Sequence, residues 1–461
     1  MRWHAAMHAG RRHARHPVVK GGIARVVTLP VTALAAFATT AITLHAVGAT
    51  AYGYVALVAT LAALIPFADL GLGAAIQSAT AIAESPSADS HLERVLLSAF
   101  RLLVLSGVVV TSCGLLVAKT VGWSNILGVP ENGLPRTNVV VPVVLGLFAA
   151  SLPFGIGLRL LIGLERNDVG VALASLAPLI ALGAVLILSH VNAPPAAYAV
   201  VQPAAMLLTA IATLAVAVRI SGVPMLQVVR QSARPRAYPG ASVAGSAAPM
   251  FVIMVGLPIA LQSDRVILAH RAGAVDLTEY AVAAQVYVTA WSVIYSGGVS
   301  LWPRFARQVA HGDDLRKPWL YALGGFIVAG VVVGGSLVVA LPVVVDVLSR
   351  GTVVAPSLLA AAFAGLIVVQ AAHLPSAMLL TSPPLLRFQA ACVVTMLAIN
   401  VPLSWVLAGA VGAAGPVIGS VVAIGVAQLL PGLLKARRFV SRDVNWPNSS
   451  SSPVMSTPLG G

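Results

Sequence analysis

Charge is the first thing that this chain of 461 residues has little of. Asp, Glu, Lys and Arg make up 9% of it, against roughly 25% in an ordinary soluble domain. So few charges cannot cover a water-facing surface, and with 58% of the residues hydrophobic the chain is no disordered polymer either. Cysteine is nearly absent. Cys113 and Cys392 both fall inside apolar runs, read as small buried hydrophobes and leave the redox compartment open. There is no Walker A sequence, hence no ATP-driven engine in these residues. No Cys/His spacing of a metal site and no filter sequence of potassium-channel type is present. The 14 acidic residues leave the first outside loop empty of charge, which argues against a membrane glycosyltransferase and its outside catalytic acids. No enzyme activity, metal or cofactor is expected. Aromatic residues do not interleave the basic stretches, so the net charge of +14 does not point to nucleic acid. The run with His4, His8, His13 and His16 reads as a solvated basic tail. What remains is a polytopic membrane protein, a class that tolerates 41 Gly and 30 Pro.

A spanning helix needs about 20 mostly apolar residues. Twelve such runs occur: 23–47, 54–83, 95–118, 138–162, 169–190, 197–219, 247–269, 278–302, 318–343, 355–380, 388–408 and 414–434. The first follows Arg2, Arg11, Arg12, Arg15 and Lys20. From Val26 to Val47 it exceeds the about 7–15 residues of a signal-peptide core, and it reads as a retained helix. Pro142, Pro153, Pro356 and Pro375 interrupt the pattern and are expected to kink helices rather than end them. With the N-terminus inside, 23 of the 28 Lys and Arg fall on inside segments. Only Lys119, Arg136, Arg265, Arg271 and Arg350 fall outside. That bias supports an even helix count with both termini cytoplasmic.

The expected organisation is a basic cytoplasmic tail (1–22), an N-terminal six-helix bundle (23–219), a cytoplasmic linker (220–246), a C-terminal six-helix bundle (247–434) and a disordered cytoplasmic tail (435–461). The halves begin alike: Gly48 to Tyr54 follows helix one and Gly273 to Tyr280 follows helix seven. Two halves of even helix count lie parallel, related by an axis along the membrane normal.

An ionisable residue near the bilayer centre costs about 2.5–3.5 kcal/mol on insertion scales and therefore faces a cavity or a partner. Asp69 sits at the middle of helix two, between Pro66 and Gly71, as a cavity residue or the cap of a broken half-helix. Asp264 and Arg265 lie in the outer half of helix seven. Neighbours on a helix point about 100° apart, so these two are not expected to pair with each other. Arg101 and Arg159, near inside ends, either orient the helices or draw in an anionic substrate. His373, beside Pro375, is deep in helix ten, as a packed residue or a proton carrier. Gln77, Gln202, Gln262, Gln285, Gln370, Gln389 and Asn400 either line a polar cavity or bind helices together.

Four segments in this order resemble the polysaccharide-biosynthesis flippases of the MOP superfamily. They are Gly48 to Gly73 with its Asp69-Leu70-Gly71-Leu72, Leu160 to Val169 with Arg166-Asn167-Asp168, Ser263 to Phe305 with Ser263-Asp264-Arg265, Glu279-Tyr280-Ala281 and Trp302-Pro303-Arg304-Phe305, and Gly409 to Gly415. The resemblance spans essentially the whole chain. It implies an all-α, MATE-like fold of two six-helix bundles around a central cavity, working by alternating access in the inner cell membrane. It also implies a polyprenyl-phosphate-linked glycan as substrate, with glycosyltransferases or a polymerase of the same pathway as partners. On that reading Arg265 contacts a phosphate or sugar. Asp264 or Asp69 balances it or carries a coupling Na+ or H+. The few other cations in the expected core argue against a highly charged glycan. Lipid II or a small drug on the same fold, and a non-transporting scaffold, are the alternatives.

Overall fold

The computed structural model describes residues 2–61, 72–130, 132–241, 248–299, 301, 304–305, 308–309, 313–381 and 383–441. All regular structure among them is helical. The first half comprises α1 (Arg2–Ala59), α2 (Leu72–Ile82), α3 (Ser90–Thr120), α4 (Trp123–Leu127), α5 (Thr137–Phe154), α6 (Ile156–Gly163), α7 (Asn167–Ala174), α8 (Leu176–His190), α9 (Pro195–Ala199) and α10 (Val201–Ser221). After α11 (Met225–Ser232) the second half brings α12 (Ala248–Arg271), α13 (Ala274–Val299), α14 (Arg316–Ser349), α15 (Ser357–Leu379), α16 (Pro383–Val411), α17 (Ala414–Ile424), a π-turn (Gly425–Leu429) and α18 (Leu430–Val440).

Nine helical stretches among the described residues are long and apolar enough to cross a membrane. The second, seventh and eighth expected spans are not among the nine, and Asp69 lies outside the described residues. α1 already starts at Arg2, ahead of the expected 23. Residues 435–440, expected in the tail, continue α18, because Ala436 is fully buried against Trp319 and Leu379. Two short helices were not anticipated. α4 sits in the loop between α3 and α5, and α11 lies in the linker against α3, burying Met225 and Val228.

The prolines act as local physics requires. Pro142 stays inside α5 and Pro375 inside α15, while Gly155 separates α5 from α6 just after Pro153. Helices approach closely where glycine removes the side chain. A Cβ on Gly157 would come within 2.4 Å of the Leu214 backbone, and one on Gly415 within 2.3 Å of that of Leu407. Small residues at such crossings are how helices associate where lipid gives no hydrophobic drive. The lipid-side face of α14 is correspondingly apolar, with Val328, Val332, Val339 and Val343 all well exposed.

Burial divides into one large core and two small ones. The large core joins both halves, from Leu44, Tyr52 and Val140 to Tyr280, Phe363 and Val417. A second, with Ile76, Leu92, Leu160 and Val228, belongs to the first half and α11. A third, with Phe305, Trp319, Leu379 and Ala436, belongs to the second half. The two small cores occupy the ends where Lys and Arg concentrate. The halves are thus fused at one end and have separate cores at the other.

The fusion is built from the two matching turns. Gly48 and Gly273 both take positive φ, 80° and 114°, a region open to glycine at no steric cost. His45 and His270, each three residues earlier, both place Nδ1 against the carbonyl four residues back. The turns then pack on each other reciprocally. The Thr278 hydroxyl donates to the Ala49 carbonyl, and Gly53 lies against Ala274 and Thr278. Counted from the two glycines, Ala49 matches Ala274 and Gly53 matches Thr278. The contact is therefore self-complementary about a local two-fold.

Candidate functional site

Immediately beneath this seal lies the seam between α1, α12 and α13. Asp264, on α12, is only 3% exposed. Its Oδ2 accepts a hydrogen bond from the Tyr280 hydroxyl of α13 at 3.1 Å, and its Oδ1 has no hydrogen-bond partner among the described residues. Arg265 turns elsewhere. One guanidinium nitrogen donates to Gln262 Oε1 at 3.1 Å, its Cζ stands 5.8 Å over the Tyr280 ring, and its Nε is buried without a partner among the described residues. Adjacent residues on one helix thus serve different neighbours, and Tyr280 touches both with its hydroxyl and its face. Tyr52 of the first half, which shares a side-chain hydrogen bond with Thr40, stands within electrostatic reach of Arg265.

Tyr287 follows Tyr280 by seven residues, two turns along the same face of α13. Its hydroxyl donates to Gln370 Oε1 of α15 at 2.6 Å. Phe363 sits between the two tyrosines, with ring centroids 5.7 Å from Tyr280 and 5.0 Å from Tyr287. The result is a column of three rings with a carboxylate and a guanidinium at one end and an amide at the other. A buried polar atom without a partner costs about 1–3 kcal/mol, more when charged. Asp264 Oδ1 and Arg265 Nε are therefore the atoms with most to gain from a ligand. The guanidinium offers donors to an anion, and the carboxylate offers an acceptor to a cation or sugar hydroxyl.

The other expected site residues do not join this group. Arg101 spends its guanidinium on the linker, donating to the carbonyls of Ser232 at 2.9 Å, Gln231 at 3.1 Å and Tyr238 at 2.9 Å. Arg159 lies in the first half, packed on Gly73, in a pocket of about 240 Å³ that Phe148, Ser151 and Met206 also line. His373, on α15, faces Gly432, and its Nδ1 is buried without a partner among the described residues. Asn400 binds helices rather than a ligand. Its amide donates to the Ala260 carbonyl at 2.7 Å, and its Oδ1 accepts from Ser404 and Ser420. Among the described residues no group of three or more His, Cys, Asp or Glu could hold a metal ion.

Comparison with known proteins follows the same lines. The family model for polysaccharide biosynthesis proteins matches residues 18–309. A search of curated protein sequences returns no match. Among solved structures, an inward-facing multidrug resistance MATE family transporter of the MOP superfamily is 15% identical, with TM-score 0.60 over 91% of this chain and 98% of that one. A MOP superfamily transporter from Pyrococcus furiosus, described as having a binding pocket of reverse polarity, is 13% identical with TM-score 0.60 over 92% and 95%. The lipid II flippase MurJ, in an inward closed conformation, is 10% identical with TM-score 0.54 over 91% and 87%. At such identities the likeness establishes the fold, that of MOP and MATE transporters.

Proposed function

We propose a function from one premise: the chain belongs to the polysaccharide biosynthesis protein family. On that premise it is an alternating-access transporter that moves a polyprenyl-phosphate-linked oligosaccharide from the inner to the outer leaflet of the cell membrane. The observation that carries the reading is the position of Asp264 and Arg265. They are a buried carboxylate and guanidinium with atoms unpartnered among the described residues, at the seam of two halves fused at one end and separately cored at the other. Alternating access needs such a seam. Breaking the outer contacts while the inner ends close would carry the site from one side to the other. The substrate is an amphipathic anion, and Arg265 is the cation placed to meet its phosphate or an acidic sugar. Asp264 holds Tyr280 and takes the coupling Na+ or H+. Twelve spans, cytoplasmic termini and pathway enzymes as partners complete the proposal.

The test is leaflet exposure of lipid-linked glycan in cells depleted of this protein and rescued with wild type or Arg265→Ala. Internal accumulation relieved only by wild type supports the flippase and puts Arg265 on its pathway. Rescue by both variants keeps the flippase and makes Arg265 an anchor. Unchanged exposure on depletion, with no redundant exporter, overturns the reading in favour of small-molecule export or scaffolding.

A further inference from the structure

A groove between α13 and α14 at the inner end of the second half plays no part in the site above. It holds about 650 Å³. Val293, Ile294 and Gly297 of α13 form one wall, and Tyr321, Gly325 and Val333 of α14 the other. Two cations, Arg304 and Lys317, line it, and among the described residues no carboxylate does. The nearby Asp314 is engaged on its own backbone, accepting the Arg316 N–H at 2.9 Å.

The groove has the length of one leaflet. From Lys317 to Val333 the helix rises roughly 24 Å at about 1.5 Å per residue. Half of a bilayer, headgroups included, is about 20–22 Å. An occupant with an anionic head at the cytoplasmic surface and an apolar chain reaching the midplane matches both ends. The groove also shares a face of α13 with the site. Tyr280, Tyr287 and Ile294 recur every seven residues along one stripe of α13, the first two in the ring column and the third in the groove. A seat for bulk phospholipid has no need of that alignment.

We propose that this groove seats the polyprenyl phosphate of the lipid-linked substrate, with Arg304 and Lys317 holding the phosphate while the chain lies between α13 and α14. The proposal rests on the flippase reading and names where its lipid part binds. Gly325 gives a clean test, because no atom lies within 4 Å of where its Cβ would stand. A side chain at Gly325 therefore starts from open space, and Gly325→Phe takes up groove volume.

The experiment uses the full chain in nanodiscs with sugar-free polyprenyl phosphate carrying a photoreactive group on its tail. Phosphatidylglycerol is the competitor. Cross-links are expected on peptides containing Val293, Gly297 or Val333. Binding is expected to fall at least about tenfold in Gly325→Phe and in Arg304→Gln/Lys317→Gln, a difference of about 1.4 kcal/mol or more, with unchanged melting temperature. Equal displacement by phosphatidylglycerol, or unchanged binding in both variants, overturns the proposal. Flipping of lipid-linked oligosaccharide in liposomes separates the two claims. If wild type and Gly325→Phe flip and bind alike, the groove assignment falls and the flippase stands. If wild type flips nothing yet Gly325→Phe loses polyprenyl phosphate, the flippase reading falls and the groove stands.

Discussion

Replacing Gly53 by alanine should open the outer end of the molecule. In the structure a Cβ there would stand 2.7 Å from Thr278 Oγ1 and 3.1 Å from both the Ala274 carbonyl oxygen and the Thr278 nitrogen. All three atoms belong to the other half, and two are backbone. The methyl group can be accommodated only by parting the two matching turns. Overpacking of this kind costs about 1–3 kcal/mol. The cost falls on the outer-closed state alone, so the equilibrium shifts toward an outer-open state by about 5- to 150-fold. Leu277, fully buried in the seal, reports the change. In a background with Cys113 and Cys392 replaced by alanine, Leu277→Cys should react with a membrane-impermeant maleimide faster in the Gly53→Ala chain by that factor. Thr278→Ala alone removes the hydrogen bond to the Ala49 carbonyl and should also speed labelling; with Gly53→Ala it removes the 2.7 Å contact as well, so the double variant should label more slowly than the sum of the two single effects, a coupling of about 0.5–3 kcal/mol. Labelling at the parental rate in Gly53→Ala would refute the argument that this contact holds the outer end closed.

Three further substitutions test other parts of the structure. Arg101→Gln removes two or more of three hydrogen bonds to the linker. That should cost about 1–3 kcal/mol of local stability, so limited proteolysis within residues 225–241 should accelerate while the helical content stays; an unchanged cleavage rate counts against the clamp. Tyr280→Phe leaves Asp264 with neither oxygen hydrogen-bonded. A transport rate reduced with glycan binding retained is expected, and an unaffected rate would remove Tyr280 from the mechanism. Asn400→Leu takes the amide donor from the Ala260 carbonyl and the acceptor from the Ser420 hydroxyl in a buried crossing, and leaves Ser404 only the Pro416 carbonyl. It should lower the unfolding midpoint, with a loss of about 1–3 kcal/mol, and no shift would mean that water or repacking replaces the network.

What the sequence made legible is what depends on local chemistry. The apolar runs announce helices, because hydropathy needs no knowledge of neighbours, and Asp264 and Arg265 stand out because a charge in such a run is a local anomaly. Tyr280 was visible only as a letter in a motif, and Tyr287 not at all, since one tyrosine in an apolar helix is unremarkable until Gln370, 83 residues on, meets it. Arg101 shows the limit from the other side. Its charge and depth were plain, but its partners lie 130, 131 and 137 residues away on a linker whose docking is a tertiary fact. α4 and α11 escaped notice because five and eight residues are too few to set a period against their surroundings.

The local two-fold makes the placement of charge meaningful. Asp264 and Arg265 lie nine and eight residues before Gly273, and nine and eight residues before Gly48 stand Thr39 and Thr40. The two halves therefore present the same positions to the same seam with different chemistry. In the first half Thr39 bonds back to the Ala35 carbonyl and Thr40 bonds to Tyr52. In the second half a carboxylate bonds to Tyr280 and a guanidinium covers its ring. Neutral hydroxyl pairs have no net charge for an ion to seek, whereas the buried carboxylate keeps an oxygen free. Ion binding and anion contact should thus both act through α12 and α13, with α1 as the neutral surface against which they move. Moving the charges across the seam, as Thr39→Asp/Thr40→Arg with Asp264→Thr/Arg265→Thr, separates the two requirements. If only a charged pair at the seam matters, the exchanged chain transports. If the second half must also carry the column of Tyr280, Phe363 and Tyr287, it does not, and the asymmetry is part of the mechanism.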